Sequence, residues 1–224
     1  MARSGAQTRE RLLDAAEAII FERGFAATSL DSVIARAGVT KGAFFHHFAS
    51  KAELGGAVIE RHAERDMANC DRILARAERL ADDPLQQVLI FVGLLLEDYE
   101  SLRNPVPGCL FASYLYQRLA YPDAAAETTA RALGYWRDAL AAKLGAAGAA
   151  HPPRVEIAPA DLADTLLAVI EGGYVLSKAR NDPEVLRRQL RHYRSLLALL
   201  HGMDPGQASR AAPGPRREAP GRAS

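Results

Sequence analysis

Eight consecutive residues, Thr40-Lys41-Gly42-Ala43-Phe44-Phe45-His46-His47, bring hydroxyl, ammonium, bare backbone and imidazole groups onto one short segment. Groups of these kinds bond phosphate oxygens and base edges. Gly42 lets a phosphate backbone approach closely, and a helix starting here turns its N-terminal amides toward a phosphate. The flanking residues supply the elements that hold such a segment in place. Ser29 can cap a helix whose apolar face is Leu30, Val33, Ile34 and Ala37, and Gly38 suits the left-handed residue that ends it. Thr40 can cap a second helix from Lys41 to His46, pinned from behind by Val39, Phe44 and Phe48. Two helices joined this way make a helix-turn-helix, whose second helix can enter the major groove. Helical hairpins with a glycine turn are also common in all-α proteins, so spacing alone leaves both readings open.

The stretch GFAATSLDSVIARAGVTKGAFFHHFASKAEL resembles, almost without interruption, the DNA-binding segment of TetR/AcrR-type transcriptional regulators. The resemblance covers about the first quarter of the chain. It implies double-stranded DNA as a partner. Thr40, Lys41 and His46 would then approach base edges, while Ser29, His47, Lys51 and the Gly42 backbone hold phosphates. Phe45 stands where the family usually carries a tyrosine whose hydroxyl reaches a phosphate, so one hydrogen bond is lost. The resemblance also implies that the final two helices pair with their symmetry mates, making a homodimer.

Bulk properties fit this reading without pointing to it. The chain has 224 residues, 49% of them hydrophobic and 25% charged, with a net charge of +1. That length allows one sizeable domain or two small ones, and a near-neutral total can conceal a basic face. Cys70 and Cys109 are too few for a disulfide scaffold or a zinc site. The first twenty residues are amphipathic rather than a leader, and the apolar run Val88–Leu96 is far shorter than a membrane span. A soluble cytoplasmic protein is expected, with no membrane partner. His62 and Asp66 lie four residues apart, a spacing able to grip a metal. With no second ligand pair, they are expected on a solvated face.

Taken in order, Met1–Ala6 reads as a polar arm carrying Arg3, and a helix runs from Thr8 to Gly24 with Leu12, Ala15, Ala16, Ile19 and Ile20 inward. Lys51 to about Leu80 reads as one long helix capped by Ser50, with Leu54, Val58, Ile59 and Met67 inward. A lysine in its first turn opposes the helix dipole, which makes sense beside a phosphate. Asp82-Asp83-Pro84 opens a helix to about Leu102 that is apolar nearly all round, so it belongs at the centre of a bundle and as a wall of any cavity. Asn104–Gly108 is a break. Cys109 then falls in the first turn of a short helix, where the dipole would lower its thiol pKa and make it a sensor of oxidants or electrophiles. A small buried residue is the alternative.

Pro122-Asp123 opens a helix to about Leu144 that carries the single tryptophan, Trp136, and Gly145–Pro159 reads as a mobile loop. A further helix begins at Asp161. Its mid-helix pair Gly172-Gly173 costs about 1 kcal/mol each relative to alanine, suggesting close helix contact or room for a ligand beside Tyr174. The last helix starts at Asp182-Pro183-Glu184.

The expected architecture is all-α: a three-helix helix-turn-helix domain over residues 1–50, and a helical ligand-binding and dimerisation bundle over 51–202. Residues 51–80 form the connecting helix, and 203–224, rich in Pro, Gly, Ala and Arg, form a disordered tail. A ligand pocket is expected from Phe91, Leu95, Cys109 and Phe111 with Tyr114, Trp136 and Tyr174. Leu166, Ile170, Leu190, Tyr193 and Leu197 are expected at the dimer interface. No nucleophile–base pair, paired carboxylates or metal cluster is visible, so neither enzymatic activity nor a cofactor is expected. The function expected is a ligand-responsive regulator, most simply a repressor released from a palindromic operator by a small apolar or electrophilic effector. The alternatives are an architectural DNA-binding protein without an effector, and a helical enzyme with an appended DNA-binding head.

Overall fold

A computed structural model describes residues 2–100, 108–116, 124–204 and 206. Among these the regular elements are helices: α1 (Ala2–Arg23), α2 (Leu30–Ala37), α3 (Lys41–His47), α4 (Lys51–Leu80) and α5 (Pro84–Glu100), then α6 (Leu110–Tyr116), α7 (Ala124–Ala150), α8 (Pro159–Arg180) and α9 (Glu184–Leu200). Their ends follow from local chemistry. The hydroxyls of Ser29, Thr40 and Ser50 accept the backbone N–H of Ser32, Ala43 and Glu53, so three successive helices start on side-chain caps. Gly38, at φ +62°, closes α2, and Asn181, at φ +50°, closes α8. Asp83 Oδ1 accepts the Gln86 amide at 2.8 Å and opens α5.

Two helices outrun their expected bounds. The start of α1 lies at Ala2 rather than Thr8, so the polar arm is helical backbone. Helix α7 runs on to Ala150, because Ala147 is buried against the body and its alanines carry helical propensity past Gly145. The mobile loop expected from Gly145 shrinks accordingly to 151–158.

Two cores form. In the first, Leu12, Leu13 and Ile20 of α1 meet Val33 of α2, Phe44 and Phe48, and Val58 and Ile59 from the first half of α4. Phe25 fills the corner so closely that a Cβ on Gly55 would lie 2.4 Å from its ring. The second core gathers Cys70, Ile73 and Ala77 from the far half of α4 around α5, with α7, α8 and α9 outside it. Helix α4 therefore belongs to both cores. Helix α6 packs on the first, through Leu110, Phe111 and Tyr114, although it lies beyond α5 in sequence. Met203 is not part of a free tail: its amide bonds the Ala198 carbonyl at 2.8 Å and its side chain packs on the second core. Residues 207–224 lie outside the described residues, as do the breaks expected at 104–107 and Pro122-Asp123.

The expected dimer residues are interior. Leu166, Ile170, Leu190, Tyr193 and Leu197 are at most 7% exposed and belong to the second core. Helices α8 and α9 each have two apolar faces, and the regular stripe reads the one turned toward their own bundle. The outer face carries Val175, Leu176, Leu196 and Leu199, all exposed.

Candidate functional site

The face presented by α3 is built from its caps and its anchor. Phe44 is wholly buried and fixes the helix from behind, while Lys41, Gly42, Phe45 and His46 are exposed on the other side with Ser29 and Thr40. His47 is half-buried beside α1, its ring 3.8 Å from where a Cβ on Gly5 would sit. Gly42 faces open space, with only the Thr40 hydroxyl 4.0 Å from where a Cβ would sit. Phe45 is 49% exposed and meets Phe44 edge-on at 5.3 Å.

Arg11 of α1, absent from the residues singled out in the sequence, holds the turn between α2 and α3. Its Nε donates to the Ala37 carbonyl at 3.0 Å and its Nη2 to the Gly38 carbonyl at 2.7 Å, satisfying carbonyls left over at the end of α2. Lys51 is half-buried: its Nζ donates to the Ala26 carbonyl at 3.3 Å and sits 4.5 Å from the centre of the Phe25 ring. Burial moves its pKa down, and two of its three ammonium hydrogens stay available to a phosphate.

Beneath this head lies a cavity of about 180 Å³. Of the expected pocket residues, the structure places Cys109, Phe111, Trp136 and Tyr174 in its lining. Phe91, Leu95 and Tyr114 do not take part. Phe91 and Leu95 fill the second core, Phe91 edge-on to Trp136 at 5.9 Å, and Tyr114 is fully buried in the first. An all-round apolar helix such as α5 is enclosed by its own neighbours, so among its described side chains only Tyr99 near its end reaches the cavity.

His62 and Asp66 also line the cavity, which overturns the solvated face expected for them, as does Glu171 of α8. The signal for Glu171 was present in the sequence: a carboxylate interrupts the apolar run Leu166–Val175, with Leu167, Ile170 and Tyr174 on the same side at helical spacing. No set of three or more His, Cys, Asp or Glu residues among the described residues is arranged to hold a metal ion.

Burial raises the pKa of Asp66, against the charge of His62 and a hydrogen bond from the Trp136 indole. Burial also raises that of Glu171, helped by the charge of Asp66 and opposed by a hydrogen bond with Cys109. Tyr99 and Tyr174 meet edge-on at 5.8 Å and share a hydrogen bond, and burial raises both phenols. The Cys109 thiol contradicts the helix-dipole expectation. It sits just ahead of α6 and its Sγ accepts the Ala112 amide at 3.5 Å, yet burial and the Glu171 carboxylate push its pKa far up. Seven residues of helix supply too weak a dipole to offset that desolvation.

A second hollow of about 330 Å³ runs from the cavity toward the end of α1 and shares Phe21, Cys109, Glu171 and Tyr174 with it. Head and body are joined here by charge as well as packing. Glu17 of α1 accepts hydrogen bonds from Arg61 at 2.7 Å and from His62 at 3.3 Å, both on α4. Arg61 also reaches Asp14 at 2.8 Å and Glu10 at 3.0 Å.

Comparison with known proteins matches both halves of the chain. The family described as bacterial regulatory proteins, tetR family, matches residues 12–58. The family described as transcriptional regulator LmrA/YxaF-like, C-terminal domain, matches residues 84–192. The probable HTH-type transcriptional regulator ArpR of Pseudomonas putida is 36% identical over 97 residues, and the match spans 43% of each chain. The HTH-type transcriptional repressor DhaR of Mycobacterium sp. (strain GP1) is 23% identical over 179 residues, 80% of this chain and 86% of DhaR. Among solved structures, the reduced form of Escherichia coli NemR superposes with a TM-score of 0.70 over 83% of this chain and 94% of NemR. At 24% identity, that likeness is one of fold.

Proposed function

The chain belongs to the TetR family of bacterial regulatory proteins, and on that premise we propose that it is a ligand-responsive repressor acting as a homodimer on a palindromic operator. One observation carries this reading. A single cavity is lined by Phe21 of α1, His62 and Asp66 of α4, and Glu171 and Tyr174 of α8, so an occupant touches the DNA-reading head, the connecting helix and the body together. Filling it favours a tilt of α4, because α4 belongs to both cores. The two heads then no longer fit half-sites about 34–36 Å apart, or a multiple of that spacing. The coupling is reciprocal, so operator DNA weakens the effector by the same factor.

Thr40, Lys41 and His46 read base edges, and Ser29, His47, Lys51 and the Gly42 amide hold phosphates. Phe45 packs against the DNA without a hydrogen bond. The raised thiol pKa of Cys109 favours an apolar effector over an electrophilic one. The dimer forms through the outer faces of α8 and α9. Gly172 faces open space there, and a glycine inside an exposed helix costs about 1 kcal/mol unless another helix packs on it. Leu176, one turn further along α8, and Leu196 of α9 add exposed apolar surface.

Selecting bound sequences from random duplex DNA tests the reading. An inverted repeat is expected. In binding titrations on it, Thr40→Ala shifts sequence preference, whereas Lys51→Ala weakens all sequences alike and reduces the salt slope by about one. Leu196→Glu is expected to yield a monomer by sedimentation and to abolish tight operator binding. Recovery of DNA without any shared sequence favours the architectural alternative and rejects the repressor.

A further inference from the structure

The cavity has a chemical character beyond being apolar. Asp66 and Glu171 are two carboxylates lining one cavity, and the charge of Asp66 raises the cost of ionising Glu171. Among the described residues lining it there is no lysine or arginine, and its one basic group, His62, is already engaged by Glu17. Glu171 Oε2 is buried with no hydrogen-bond partner, and Trp136, 6% exposed and with its indole on Asp66, lines the same space. A buried, unpartnered carboxylate oxygen is costly, and a structure that keeps two carboxylates in such a space leaves a place for positive charge. The remaining wall is aromatic, with Trp136, Tyr99 and Tyr174 supplying rings that attract a cation electrostatically.

We infer that this cavity binds a lipophilic organic cation, an amine or quaternary ammonium ion about one aromatic ring in size, with its charged nitrogen between Asp66 and Glu171 and among the rings of Trp136, Tyr99 and Tyr174. The size follows from the volume of about 180 Å³, since an apolar cavity of about 150 Å³ admits benzene. The adjoining hollow offers room for a substituent, and its Arg23 and Lys178 confine the cationic end to the inner cavity. Electrostatic attraction from two carboxylates gives selectivity over neutral molecules of the same shape, which an apolar pocket cannot provide. This assignment rests on the effector-binding reading and adds the effector's chemical class.

Trp136 is the single tryptophan and lines the cavity, so its fluorescence in the full-length protein reports occupancy directly. The probes are benzyltrimethylammonium, its uncharged isostere neopentylbenzene, and the anion 3-phenylpropionate. Benzyltrimethylammonium is expected to bind at least about tenfold more tightly than neopentylbenzene, and the anion more weakly than either. Glu171→Gln and Asp66→Asn are each expected to weaken the cation about tenfold or more and to leave neopentylbenzene within about twofold. Both substitutions remove a buried charge and are expected to fold, and the comparison of probes on the unaltered protein needs neither. Equal affinity for cation and isostere, or an unchanged cation affinity in both variants, overturns the assignment. Tight binding of neopentylbenzene or the anion alone overturns the cationic class while leaving an effector site. If no probe changes the fluorescence or the melting temperature while operator binding persists, the assignment falls and the effector reading loses its cavity.

Discussion

His62 Nδ1 lies 3.3 Å from Glu17 Oε1, and the same imidazole ring meets Phe111 edge-on at 4.9 Å between centroids. One side chain on α4 thus touches both the cavity wall and the charge cluster that fastens α1 to α4. A carboxylate only accepts, so the imidazole donates from Nδ1. Any occupant that displaces the ring must also loosen its hold on Glu17.

Replacing His62 with leucine keeps apolar bulk and removes that donor. Operator affinity without effector is expected to stay within about threefold, because Arg61 and Arg65 still hold Glu17. The factor by which benzyltrimethylammonium weakens operator binding is expected to fall toward one. Fluorescence anisotropy on labelled operator, with and without the probe, measures both quantities. An undiminished factor in His62→Leu places the coupling elsewhere.

Glu17 also governs acid stability. Burial alone would raise its pKa, but hydrogen bonds from His62 and Arg65, with the charges of Arg65 and Arg61, bring it from 4.5 down to about 2. A carboxylate depressed on folding contributes stability that is full above its unfolded pKa and disappears as pH falls through its folded value. The window is therefore from about pH 4.5 down to about pH 2, and the shift corresponds to about 3 kcal/mol at neutral pH. The side chain is only 13% exposed, so screening takes little of this away. Urea unfolding from pH 7 to pH 2 is expected to show a drop in the native protein that Glu17→Gln lacks. Parallel curves for the two proteins would show that the cluster contributes nothing net.

The helix-turn-helix was legible in the sequence because each of its features is local. Ser29, Gly38, Thr40 and Phe44 act within a few residues of their own position, through caps, a left-handed turn and one buried ring. The cavity was only half legible, because it is assembled from α1, α4, α5, α6, α7 and α8 across long separations. Aromatic residues suggested it, but Phe91 and Leu95 do not differ in type from residues that line pockets, and only tertiary packing shows them filled on every side. The carboxylates carried more information: Glu171 breaks an apolar run, and His62 and Asp66 share one side of α4. The residues expected at a dimer interface lie inward because the apolar stripe of α9 marks its core-facing side: Leu190 on that stripe is buried, and the exposed Leu196 lies off it.

Cys109 is expected to be an unreactive thiol. Nucleophilic attack requires thiolate, and the burial and neighbouring Glu171 that raise its pKa leave little of it at pH 8. Iodoacetamide is expected to alkylate Cys109 at least about tenfold more slowly in the folded protein than in urea. Cys70, fully buried with its pKa pushed up to about 12, is expected to be slower still. Operator binding after mild oxidation is expected to be the same for the native protein and Cys109→Ser. Rapid alkylation, or oxidant sensitivity abolished by Cys109→Ser, would restore the sensing role.

Phe45 allows the DNA-facing assignment to be tested by gain rather than loss. Its ring is 49% exposed and leans edge-on against the buried Phe44, so the para position can take a hydroxyl without disturbing the core. Phe45→Tyr should therefore leave stability nearly unchanged. A phenol on this face can donate to a phosphate oxygen, and a hydrogen bond to a charged acceptor contributes about 1.5–3 kcal/mol before the cost of desolvating the hydroxyl. About 1 kcal/mol is expected to survive, which is about fivefold tighter binding. Because the contact is to the backbone, the gain should be equal on operator variants that differ in base sequence. It should also persist in Thr40→Ala, for which the proposed contact is to a base. Affinity unaltered by the added hydroxyl would place Phe45 away from the phosphates, and a gain confined to one operator sequence would make it a base contact instead.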